Sequence, residues 1–143
     1  MPEPTDGFEV AREITEAAKA VSDRMLADYA KLTKDEERAL DDLFWDLQSQ
    51  AGRIRTLAVG ALLAEAGASV EAINRETRRA RKAIKDIGKV RQAIAIGAAV
   101  LTVASAIATK NAAGLKSAFT TLKDVLKDPA KDLGKAIVKK VTG

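Results

Sequence analysis

Positions 5 to 128 contain no proline, and the three prolines of the chain stand at 2, 4 and 129. Proline removes a backbone donor and clashes with the preceding helical turn, so a stretch this long without one leaves long helices unobstructed. Aromatic residues make up only 3% while apolar residues make up 47%. A core must therefore be assembled from many small contacts between closely approaching helices. At 143 residues the chain has the size of one domain and enough length to bury a real core. The expectation is a single all-α domain over 1–143, an elongated antiparallel helical bundle of four to five helices with a long central helix pair.

Apolar periodicity divides the chain. Asp6 and Glu9 read as a capping box opening helix 1 over about 7–31, with Phe8, Val10, Ile14, Ala17, Ala18, Val21, Met25, Tyr29 and Leu32 on one face. Thr33 with Glu36 forms a second box for helix 2, where Leu40, Leu43, Phe44, Leu47, Ala51, Ile54, Leu57, Ala58 and Ala61 keep a period near 3.5. That period favours long antiparallel or coiled-coil packing. Gly67 is the expected turn and Ser69 the next N-cap. Helix 3 then carries Val70, Ile73, Thr77, Ala80, Ile84, Ile87, Val90 and Ile94 on a buried face. Unbroken to Lys110, it would measure about 60 Å at 1.5 Å per residue. Gly88 and Gly97 lie inside it, and close packing is the expected reason for both. Asn111 and Gly114 mark a turn before helix 4, with Leu115, Phe119 and Leu122, and Pro129 opens a helix 5 with Leu133, Ile137 and Val141.

The chain has no cysteine and no histidine. Thiolate nucleophiles, disulfides, thiolate zinc sites and histidine-based catalysis are thereby excluded. No serine stands beside a plausible base and no glycine-rich phosphate loop occurs. The expectation is a protein that is not an enzyme, with no cofactor, no metal and no small-molecule substrate. Asp35, Glu36, Glu37, Asp41, Asp42 and Asp46 crowd the start of helix 2, but di-iron bundles need a Glu-x-x-His element that this chain cannot supply. Acids at a helix start complement its dipole without further function. The N-terminus, MPEPTDGFEV, is acidic where a signal peptide needs a basic start and an apolar run, so no secretory signal is expected and a cytoplasmic or peripheral membrane location is.

Charge is strongly partitioned. Residues 1–50 hold thirteen acids against six bases, a net −7, whereas residues 51–143 hold eighteen bases against seven acids, a net +11. Such asymmetry suggests that the acidic half covers the basic half, within one molecule or between neighbours. Its sharpest expression is a run of eight cations, Arg75, Arg78, Arg79, Arg81, Lys82, Lys85, Lys89 and Arg91, flowing into sixteen uncharged residues, Ala93 to Ala108, closed by Lys110. A basic helix abutting an apolar one is the pattern of a segment that meets an anionic membrane.

The apolar segment alone spans about 24 Å, short of the ~30 Å hydrocarbon thickness, and seven of its sixteen residues are alanine. Small residues such as Ala93, Gly97, Ala99 and Ser105 suit close helix contact, in a bundle or an oligomer. The expected function is thus non-enzymatic association, with itself or a partner helix, through 93–108. Engagement of anionic membrane through 75–91 accompanies it. Two alternatives stand beside it: a purely soluble oligomeric or adaptor bundle, and a non-specific nucleic-acid-binding module. The latter is the weaker, because the basic run lacks interleaved aromatics and nearly all amide side chains for base readout. Trp45, at the edge of the helix 2 stripe, is a candidate partner anchor.

Overall fold

The computed structural model describes residues 4–127, so the helix expected after Pro129 lies outside the described residues. These residues form six α-helices and no strand. The helices are α1 (Pro4–Ala27), α2 (Lys34–Ile54), α3 (Gly60–Glu65), α4 (Val70–Asp86), α5 (Val90–Ala108) and α6 (Ala112–Lys127), with a 3-10 turn at Tyr29–Lys31 between α1 and α2. The all-α class is the one the sequence implies. The count exceeds four to five because both long helices are broken, helix 2 after Ile54 and helix 3 after Asp86.

Several ends are written locally. Thr33 Oγ1 accepts the Glu36 N–H at 3.1 Å while the Thr33 N–H donates to Glu36 Oε1 at 3.0 Å, a complete capping box. Ser69 Oγ accepts the Ala72 N–H at 3.1 Å and starts α4. Gly67, at φ 75°, ends α3 with the Ala68 N–H donating to Leu63 O at 2.8 Å, the Schellman arrangement. The same motif ends α5, where the Asn111 N–H donates to Ala106 O at 2.9 Å and the left-handed position, φ 57°, is occupied by Lys110. A side chain there is strained, whereas glycine is not. Lys110→Gly should therefore raise stability by about 0.5–1 kcal/mol, read as a rise of about 2 °C in a thermal melt.

Helix 1 departs from expectation at both ends. It begins at Pro4, so Asp6 and Glu9 lie inside it rather than capping it. Phe8 and Tyr29, expected in the core, are 51% and 62% exposed. Phe8 belongs to the outer row with Arg12 and Lys19, one 100° step from Gly7, which faces α2. Tyr29 lies past the end of α1, where the helical step no longer carries the stripe.

The packing replaces the expected long pair of helices 2 and 3. Gly7 abuts Ile54 and Leu57, making α1 and α2 an antiparallel hairpin. Glu13 meets Arg78 and Arg81 while Arg24 meets residues 84 to 88, so α4 runs alongside α1 in the same direction. Glu36 meets Arg91 and Leu43 meets the α-carbon side of Gly97, so α5 follows α2. It follows that α4 and α5 turn back on each other. α5 is the central element, contacting α2, α6, α4 and α1. Its residues from Ala93 to Val100 are all buried, as an apolar helix without a polar face requires.

Candidate functional site

The cationic surface is built on α4. Ile73, Thr77, Ala80 and Ile84 are buried at helical spacing, which leaves Arg75, Arg78, Arg79, Lys82 and Lys85 exposed and Arg81 at the edge. Lys89 and Arg91 extend this surface past the end of the helix. Lys110 does not join it, because it stands beyond the opposite end of α5, about 30 Å of helix from Lys89.

The acids meeting these cations are mostly not those expected. Of the six carboxylates at the start of helix 2, Glu36 alone among the described residues pairs with the run, reaching Arg91 at 3.9 Å. Glu13 of α1 instead takes both Arg78, at 3.0 Å, and Arg81, at 3.5 Å. Glu76, buried within α4 itself, lies 3.5 Å from Arg79 and 3.8 Å from Arg75. The acidic half does cover part of the basic half, but through α1, which packs on both α2 and α4. Among the described residues Lys82, Lys85 and Lys89 have no carboxylate within ion-pair distance.

The apolar helix directly follows. At 19 residues α5 is long and apolar enough to cross a membrane by length and composition, about 28 Å, and two-thirds of it is buried inside the bundle. Ala93, Gly97 and Ala99 are buried against helices of the same chain. An ideal Cβ on Gly97 would lie 3.0 Å from Leu43 Cδ1 and 3.6 Å from Val21 Cγ2. Ser105, in contrast, is only half-buried, beside exposed Thr102. The small residues thus serve intramolecular packing, and a second copy has no access to Gly97 while the bundle is closed. Trp45 is 61% exposed on the outer face of α2, its ring edge-on to Phe44 with centroids 5.0 Å apart. Trp45 is therefore a surface residue and not part of the core.

Sequence reasoning missed the residue that organises the junction between basic and apolar helices. Arg24, 7% exposed, reaches from α1 to the end of α4. Its guanidinium donates to the carbonyls of Ile84 at 3.0 Å, Lys85 at 3.4 Å, Ile87 at 2.5 Å and Gly88 at 3.1 Å, while Nε pairs with Asp28 at 2.6 Å. A cation at a helix C-terminus complements both the orphan carbonyls and the dipole. The signal was present: Arg24 interrupts the row Ile14, Ala17, Val21 at the next core position. Gly88 does not have the packing role expected of it, since a Cβ there would meet nothing within 4 Å.

An open groove of about 640 Å³ between α4 and α6 is lined in part by Glu76, Arg79, Lys123, Asp124 and Lys127. Its charges are mixed and Glu76 is already committed to its two arginines. Comparison with protein-family models, curated proteins and solved structures finds no match for this chain.

Proposed function

We propose that this chain is a non-enzymatic helical protein that docks on anionic membrane surfaces through the exposed cations of α4 and releases α5 to associate with lipid or with a partner helix. The observation carrying this reading is the direct succession, within one three-residue connector, of an exposed cationic face and a buried helix of membrane-spanning length. Of the acids at the start of α2, Glu36 reaches only Arg91 at the far end of the cationic run, and α1 lies between α2 and the cations of α4. Each cation near an anionic bilayer contributes about 1 kcal/mol. Lys82, Lys85 and Lys89 are available for this without breaking an ion pair among the described residues.

Co-sedimentation with phosphatidylserine or cardiolipin vesicles at low salt tests the reading. Wild-type protein is expected to bind, and changing all three lysines to glutamine should weaken binding about a hundredfold. No binding at low salt would sink the reading and favour a soluble adaptor bundle. That second reading is supported by the use of Ala93, Gly97 and Ala99 as core. Salt-sensitive retention of DNA or RNA, lost on neutralising Arg78, Arg79, Arg81 and Lys82, would instead favour non-specific phosphate binding.

A further inference from the structure

We infer that the α4–α5 hairpin is a bistable element, held shut by Arg24, whose alternative form is one continuous helix from Val70 to Ala108. The break between the two helices has only a weak local cause, Gly88, which costs a continuous helix about 1 kcal/mol relative to alanine. It contains no proline, and Gly88 is not in the left-handed region. Ile87 at φ −66° and ψ 139° and Lys89 at φ −94° and ψ 125° are extended, a conformation any residue adopts. Lys89 makes no side-chain cap at the start of α5. The apolar row Ile73, Thr77, Ala80, Ile84, Ile87, Val90, Ile94 also keeps its spacing of three and four straight across the break, as one helix would.

What holds the break is tertiary. In a continuous helix the carbonyls of Ile84, Lys85, Ile87 and Gly88 would accept the N–H groups of Gly88, Lys89, Arg91 and Gln92. Those same four carbonyls are the ones that the guanidinium of Arg24 engages. Arg24 therefore stands in for the missing helical donors, and only while α1 is docked. If α1 leaves, the orphan carbonyls find partners in their own backbone, and α4 and α5 straighten into a helix of about 58 Å. The cationic face and the apolar helix then lie end to end on one rod. As a regulatory device this rests on the membrane reading above; as a conformational equilibrium it is measurable without lipid.

The chain contains no cysteine, so Glu71→Cys with Thr102→Cys, both at exposed positions, gives a unique pair for spin labelling. A continuous helix sets them about 46 Å apart, whereas the hairpin brings them close. Wild type should show the short distance. Arg24→Met should add a population near 46 Å, and Val90→Pro in that background should remove it, since proline is accepted at the first helical position but not inside a continuous helix.

A second variant leaves Arg24 in place. Gly88→Ala, at an open position, favours the continuous form about fivefold. It should raise the thiol-labelling rate of a buried Ala80→Cys by that factor without lowering the melting temperature. An Arg24→Met protein that stays helical yet shows only the short distance overturns the proposal, as does labelling of Ala80→Cys that ignores Gly88→Ala. Opening in both assays together with no vesicle binding supports the switch and removes the membrane reading.

Discussion

Gly97→Leu is expected to destabilise the folded protein by about 3 kcal/mol or more, lowering the melting temperature by roughly 10 °C. Gly97 sits where α5 crosses the α1–α2 hairpin, and the space a first carbon would occupy is already bounded by Leu43 Cδ1 at 3.0 Å and Val21 Cγ2 at 3.6 Å. Leucine adds three more carbons, in a core where both neighbouring side chains are fully buried: Val21 at 0% and Leu43 at 2%. Relief requires α5 to move away from α2, which opens the centre of the bundle. Gly97→Ala is the control. The tip of Leu43 need yield only a few tenths of an ångström, and alanine returns about 1 kcal/mol of helix propensity, so that variant should be nearly neutral. Circular dichroism melts with solution mass on the same samples separate the effects. Loss of assembly by a protein that melts normally would contradict the intramolecular role assigned to Gly97.

Gly7→Ala should cost about 3 kcal/mol despite replacing glycine by the best helix former. The added methyl would run into the carbonyl oxygens of Leu57 and Ile54. Main-chain atoms cannot rotate aside as the end of a leucine can, so the α1–α2 hairpin must part at its open end. That contact is also where α2 stops and the chain turns toward α3. Gly52→Ala makes the contrast, because nothing lies within 4 Å of the position, and it should stabilise α2 by about 0.5–1 kcal/mol. Urea unfolding of the two variants is expected to move the midpoint in opposite directions. Equal and small shifts would mean that α1 does not seat on α2 as described.

Both glycines illustrate how unevenly the fold was legible. The turns at Thr33, Gly67, Ser69 and Asn111 were readable because each is a local exchange of hydrogen bonds within a few residues. Gly97 was readable as a packing site because small residues recur around it on an uncharged helix. Gly7 was not, since its partners lie some fifty residues away and leave no trace in periodicity. Gly88 was misread for the converse reason: a glycine inside a continuous apolar pattern looks packed, yet this one faces open space at a break. At the candidate site the cations were legible one by one. Their partner Glu13 was not, because the choice between α1 and α2 as the covering helix depends on how the hairpin lies across α4.

Sequence alone determined the all-α class, the charge partition and the succession of a cationic helix by an apolar one, because helix propensity, capping and periodicity act over a few residues. Only the tertiary structure decided that this succession is folded back on itself. The local pattern of 70–108 favours one rod, and four carbonyls at its midpoint are withheld from that rod by a guanidinium arriving from Arg24, some sixty residues earlier. A buried cation with so many acceptors outweighs a few helical hydrogen bonds only while the helix that carries it is docked, which is a condition no local pattern can record.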